Sequence, residues 1–282
     1  MKKMFFLLLA VATCLGINAQ SLNVMSFNIR LNTANDGINA WPKRSDKVSS
    51  QILFHQTDFV GVQEALHDQM MDLQKDLPDY SYVGVGRDDG KTKGEYSAIF
   101  YKKSRLSVIE SGTVWLSKTP TVPGSKGWDA NIPRIVTWAK FKDLQTKKLF
   151  YVFNTHFDHI GVEARRESAK YILHLVDSVA GTMPSVITGD FNAAPKDEPI
   201  KIIVDQSNAK HLTDSKAVSE TPHYGPVGTF NAWKVKEDSE LPIDHIFIRN
   251  KVKVLQHATL SQTWGNQYSS DHFPVFARVI IL

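Results

Sequence analysis

Short apolar runs that break off at polar residues recur along the whole chain. They predict strands at 22–27, 59–62, 80–86, 96–102, 106–116, 134–142, 148–155, 184–188, 243–248, 252–260 and 273–281. Helical spacing appears three times. Val48, Ile52 and His55 mark a helix over 41–55, and a second over 69–77 is closed by Pro78. Ala169, Ile172, Leu173 and Val176 share one face of a third over 162–179. Lys103-Ser104 is a short turn between two strands, and Pro120, Pro123, Gly124 and Gly127 punctuate a polar loop. Hairpins exclude a purely parallel doubly wound sheet. They predict mixed sheets packed face to face with helices outside, an α/β chain of the α+β type. No repeat or Pro/Ser-rich linker interrupts residues 20–282, so one domain is expected there.

The first 19 residues differ from the rest. Met1-Lys2-Lys3 and the apolar run over 4–16 read as a secretory signal, removed before Gln20. The run is short of the roughly 20 residues a bilayer span needs. A secreted or periplasmic protein without an integral membrane segment is expected. The single cysteine, Cys14, lies inside that signal. Val11-Ala12-Thr13 before it is a poor lipidation match, so Cys14 is expected to leave with the signal rather than anchor the chain. Residues 20–282 then offer no disulfide, thiolate metal site or cysteine nucleophile. The 33 Lys+Arg and 29 Asp+Glu, less Lys2 and Lys3, balance to about +2, far from the basic field of a nonspecific duplex binder.

Chemistry gathers at six run ends: Asn28, Gln63-Glu64, Asn154-Thr155-His156, Gly189-Asp190-Phe191-Asn192, Asp244-His245 and Ser270-Asp271-His272. Loops at strand ends on a rigid scaffold are where binding groups collect. Taken singly, Glu64 reads equally as the cap of a helix beginning near His67, and Asp190 as part of a Gly-Asp-Phe-Asn turn supported by Pro195 and Pro199. Together, Glu64, Asn28, Asp190, Asp271 and Asn192 are oxygen donors that suit Mg²⁺ or Mn²⁺. His156 and His272 suit proton chemistry near neutral pH. A zinc-protease helix and a Gly-x-Ser-x-Gly elbow are both missing.

In these motifs, and in their order, the chain resembles the endonuclease/exonuclease/phosphatase superfamily from Leu22 to Leu282. The resemblance implies a deoxyribonuclease-like four-layer sandwich of two mixed sheets flanked by helices. It implies Glu64 as the main Mg²⁺ (or Mn²⁺) ligand, with Asn28 and Asp271 close to the metal. Asp190 would orient or deprotonate the attacking water, and Asn192 would hold the phosphate. His272, polarised by Asp244, would contact phosphate oxygens or move a proton, and His156 would be the second histidine. Glu95 matches an acidic partner of that histidine in pancreatic-type nucleases, and Arg134 a phosphate-binding arginine.

The implied activity is metal-dependent phosphoester hydrolysis, leaning towards nuclease or 3′–5′ exonuclease chemistry. Phospholipid head groups and phosphorylated sugars are alternative substrates, and no stable protein partner is expected. A non-catalytic secreted binding protein is the alternative of another class, opposed by the intact set Glu64, Asp190, Asp244, Asp271 and His272. Leu66 stands where pancreatic-type nucleases place a minor-groove arginine, so DNA does not follow from the fold. Trp128, Phe230, Asn231, Trp233 and Trp264 either stack on a base or sugar or pin their loops. Lys91 and Lys93 lie on a flap or on a solvated turn.

Overall fold

The computed structural model describes residues 20–234 and 241–282. The expected signal, with Cys14, lies outside the described residues. The element order is β1 (Leu22–Asn28), α1 (Ser45–Phe54), β2 (Phe59–Ala65), α2 (His67–Asp76), β3 (Tyr80–Val83), β4 (Tyr96–Lys102), β5 (Leu106–Trp115), β6 (Ile135–Asp143), β7 (Leu149–His156), α3 (Val162–Ala180), β8 (Ser185–Asp190), α4 (Glu198–Val204), β9 (Thr213–Asp214), β10 (Asp244–Arg249), β11 (Val252–Thr259) and β12 (Val275–Ile281).

One six-stranded sheet runs β11-β12-β1-β2-β4-β3 and the other β5-β6-β7-β8-β10-β9. Both are mixed: β1–β2 and β7–β8 pair in parallel, and their outer neighbours antiparallel. Strand alternation explains the layers. Leu22 and Val24 of β1, Phe59 of β2, Phe150 and Val152 of β7, Val186 of β8 and Ile246 of β10 share one core between the sheets. The intervening residues face out. Met25, Phe27, Val60 and Val62 pack with Val48 and Ile52 of α1 and Leu73 of α2, whereas Phe153, Ile187 and Phe247 pack with Ile172 and Val176 of α3. The result is the expected four-layer sandwich. Phe59, Phe141 and Phe150 meet at its centre, each ring stabilising the fold by about 1.5–3 kcal/mol through burial.

Three local differences have physical causes. The 41–55 helix opens with a separate 3₁₀ turn, Trp41–Lys43, because Arg44, at φ −142°, leaves the helical conformation between that turn and α1. Pro199, counted above with a turn, sits in the first turn of α4, where its fixed φ favours starting a helix. The two-residue β9 is too short to leave a periodic signal.

Candidate active site

Positions 26 and 28 of β1, 154 and 156 of β7, 188 and 190 of β8, and 244 of β10 continue the inward alternation beyond the last apolar residue. The core between the sheets therefore ends in polar side chains. His156 pairs with Asp190 across β7–β8, and Asp190 with Asp244 across β8–β10, so these three form one row across the sheet.

Glu64 reaches the same place by a different route. Simple alternation would turn it outward with Val60 and Val62. A β-bulge intervenes: Val62 pairs with Ala98 and Ala65 with Tyr96, so Gln63 and Glu64 together oppose Ser97. Glu64 has φ +63°, a left-handed backbone uncommon for a residue with a side chain. It leads into α2 without capping it; Gln69 Oε1 accepts from Leu66 N instead.

Asn28 Nδ2 donates to Glu64 Oε1 and Asp190 Oδ2, both at 2.9 Å, and ties the two sheets together. Two carboxylates accept only, so the amide presents N–H to them, and its Oδ1 accepts from Arg30 N at 3.0 Å. The expected place of Asn28 is thus occupied, but by a donor bridging carboxylates rather than by an oxygen aimed at a cation. Arg30, which donates twice to Asp36 at 3.1 Å, lies 3.9 Å from Glu64 and 3.8 Å from Asp271, so three carboxylates share one positive charge.

His272 Nδ1 meets Asp244 Oδ2 at 2.8 Å, and its Nε2 lies 3.8 Å from Asp190. Burial opposes a charged ring, but the charge and hydrogen bond of Asp244, then Asp190 and Asp271, hold His272 well above the usual imidazole range. His156 is the reverse case. Burial, then Arg134 and Arg87, push it well below that range, so it is neutral. Asn192 Nδ2 donates to Phe157 O and lies 3.0 Å from His156 Nε2, so that nitrogen is the acceptor and Nδ1 carries the proton. Asn192 N also binds Asp190 Oδ1 at 2.9 Å, in a left-handed turn of φ +45°. Burial and the neighbouring Asp244 push Asp190 up to about 7.

One expected pair is corrected. Glu95 does not bond His156: its oxygens are taken by Arg87 Nη1 and Nη2 at 2.7 and 2.6 Å, and His156 Nδ1 has no hydrogen-bond partner among the described residues. A bidentate guanidinium outcompetes a single neutral N–H for a buried carboxylate. Arg134 is 4% exposed. Its Nη2 meets His159 Nδ1 at 3.0 Å and its Nε lies 3.6 Å from Asp158 Oδ2, while Nη1 has no hydrogen-bond partner among the described residues.

These groups border a cavity of about 450 Å³ lined by Glu64, Glu95, Arg134, His156, Asp190, Asn192, Asp271 and His272, with Asn28 and Asp244 behind them. Arg30, Leu31, Ile132, His159, Phe230 and Ile243 complete the wall. Of these, His159 and Arg30 carried a weak signal, each lying within three residues of a singled-out position. Arg87 lay in a glycine-bounded loop with none. His245, one residue beyond Asp244, faces away: Nε2 meets Ala193 O and its ring packs on Phe191 and Phe247. Among the aromatics, Phe230 lines the cavity, Trp233 packs on Arg44, and Trp264 borders a separate surface pocket with Phe54.

Ligand atoms of Glu64, His156 and Asp190 lie within 4.8 Å of one another, as do those of Asp190, Asp244 and His272. Crowded carboxylates at the end of the inter-sheet core fit a hard divalent cation. Glu64, with Asp190 and Asp271 beside it, would hold it.

The sequence matches the Endonuclease/Exonuclease/phosphatase family over residues 25–272. An endonuclease/exonuclease/phosphatase from Bacteroides vulgatus is 40% identical, with a TM-score of 0.89, covering 93% of this chain and 100% of its own. A mannosyl-6-phosphatase from Bacteroides thetaiotaomicron is 37% identical, with a TM-score of 0.87, covering 92% and 99%. The human Nocturnin catalytic domain, 20% identical with a TM-score of 0.70 over 93% and 95%, shares the fold.

Proposed function

We propose that this chain, which belongs to the Endonuclease/Exonuclease/phosphatase family and is a phosphoric ester hydrolase, is exported by its first 19 residues and dephosphorylates a phosphorylated sugar with a divalent metal, Mg²⁺ or Mn²⁺. The observation that carries the reading is Arg134, a buried guanidinium whose Nη1 has no hydrogen-bond partner among the described residues, in the wall of a cavity of about 450 Å³. Unsatisfied buried donors are costly, and a phosphate oxygen satisfies them. A cavity of that volume suits one sugar phosphate. Leu66 instead of an arginine and the near-balanced charge weigh against duplex DNA. The sugar reading therefore displaces the nuclease leaning, supported by the 37% identical mannosyl-6-phosphatase.

Bound at Glu64, a divalent ion supplies charge neutralisation at the phosphate oxygens. Arg134, in the cavity wall, orients the phosphate by donating to it. Asp190 is placed to take a proton from the attacking water, with Asn192 N and Asn28 fixing its carboxylate. Water oxygen bonds to phosphorus as the P–O bond to the sugar breaks. His272, kept protonated by Asp244, offers the departing oxygen a proton.

The test is hydrolysis by the purified protein in Mg²⁺, read as phosphate release from mannose 6-phosphate and as chromatographically resolved products from a phosphosugar diester, single-stranded RNA and DNA, and sphingomyelin, beside Glu64→Ala. Release from mannose 6-phosphate, lost in Glu64→Ala, is expected. Cleavage of the oligonucleotides alone would overturn the sugar reading and restore the nuclease.

A further inference from the structure

Asn154 belongs to the motif Asn154-Thr155-His156, yet it takes no place in the cavity wall. It is fully buried between the sheets. Its Nδ2 donates to Val62 O and Ala98 O, both at 2.9 Å, and its Oδ1 accepts from Gln63 Nε2 at 2.7 Å and Thr188 Oγ1 at 3.0 Å. An amide has two N–H groups and two acceptor sites, so every one is used. The partners converge on one feature of the opposite sheet. Val62 and Ala98 form the last cross-strand pair before the bulge, and Gln63 is half of the bulge itself. Gly61 leaves the room: a Cβ there would lie 2.5 Å from Asn154 Oδ1 and 2.1 Å from Thr188 Oγ1.

The bulge is what turns Glu64 from the helix-facing side of β2 into the cavity, through a left-handed backbone that side chains rarely adopt. Such a conformation persists only where its surroundings over-determine it. Asn154 clamps both strands beside it and holds the neighbouring side chain. We propose that Asn154 is a positioning residue for Glu64, acting across the sheet interface with Thr188 to set the metal-binding geometry. This rests on the assignment of Glu64 to the metal. Aspartate at 154 would lose both donors, and leucine all four bonds.

The test is calorimetric Mn²⁺ binding to the metal-free full chain, with melting temperature measured on the same samples. Asn154→Ser should weaken Mn²⁺ by about 10–100-fold, as loss of groups supporting metal ligands does elsewhere. Thr188→Val, which removes one hydroxyl, should weaken it less, in the same direction and with a cooperative melt. Gly61→Ala, whose Cβ would crowd Thr188 Oγ1 and Asn154 Oδ1 together, should also weaken binding. Wild-type Mn²⁺ affinity in Thr188→Val and Asn154→Ser, whatever their melting temperatures, overturns the proposal. If Asn154→Ser does not fold, Thr188→Val decides. Failure of the premise looks different: Mn²⁺ then binds neither wild type nor Glu64→Ala, or binds both equally, and the proposal falls with it.

Discussion

His272 Nδ1 and Asp244 Oδ2 lie 2.8 Å apart in a region closed to solvent, and Asp244 stands in register with Asp190 on the neighbouring strand. Burial works against a charged His272, and the facing carboxylates, Asp244 first, more than reverse it. Asp244→Asn should therefore lower the pH at which His272 titrates in the metal-free protein, followed by the ring resonances in NMR. Turnover should fall by about 10²–10⁴-fold, the range for losing a tuned proton-transfer group. The sign of the stability effect follows. A raised imidazole stabilises fully below its unfolded value near 6.5 and loses that contribution as pH rises through the folded value. Unfolding should show the variant's deficit shrinking towards high pH. An unmoved His272 titration would detach Asp244 from the role assigned to it.

Arg134 should govern binding more than turnover. Arg134→Gln removes the guanidinium charge and its unpartnered Nη1, suited to a phosphate oxygen. Charged hydrogen bonds are worth about 1.5–3 kcal/mol, so KM should rise about 10–100-fold with a smaller change in kcat. Inhibition by inorganic phosphate should weaken in parallel. Arg134→Lys should recover little, because a single ammonium cannot present the guanidinium edge. Unchanged phosphate inhibition in both variants would remove Arg134 from the phosphate site.

Arg87 and Glu95 form a two-pronged pair, with side chains 11% and 14% exposed. Breaking a largely buried pair from one side leaves an uncompensated charge, so Arg87→Met and Glu95→Leu should each destabilise by roughly 3 kcal/mol in urea unfolding. The double variant should lose much less than their sum. Glu95→Gln should leave the His156 titration nearly in place. A large movement would instead support the Glu95–His156 partnership that the pancreatic-type resemblance implied.

Most of the site was legible because its residues obey strand parity. His156, Asp190 and Asp244 end apolar runs on the inward side, so chain pattern and spatial row coincide. Glu64 was legible as the polar end of an apolar run, but it breaks parity, and its turn into the cavity was not, since a one-residue bulge leaves no periodic trace. Arg87 was invisible because its partner is fixed by loop geometry between Gly86 and Gly94 rather than by spacing. Arg44 was equally hidden. A fully buried guanidinium that serves the carbonyls of Ile29, Arg30, Asn39 and Ser269 reads in sequence as an ordinary helix-start charge. Local propensity carries no information on such long-range contacts.

Outside the candidate metal ligands, His257 and His223 face each other with Nδ1 atoms 2.9 Å apart. His223 Nε2 meets Pro226 O at 3.0 Å and must donate there, which makes its Nδ1 the acceptor and His257 Nδ1 the donor. Burial, then His223, depresses His257 to about 3. A depressed imidazole gives stability that is present above the unfolded value near 6.5 and lost as pH falls towards the folded value. Between those limits the loss approaches about 1.4 kcal/mol per pH unit for each proton taken up on unfolding. His156 and His245 add in the same direction, so the informative quantity is the difference between wild type and His257→Gln. Urea unfolding at pH 7, 5.5 and 4.5 should show the variant less stable at pH 7 but with a shallower acid slope. Parallel slopes would mean that His257 already takes up its proton in the folded protein, and the neutral pair would then be the wrong description of this contact.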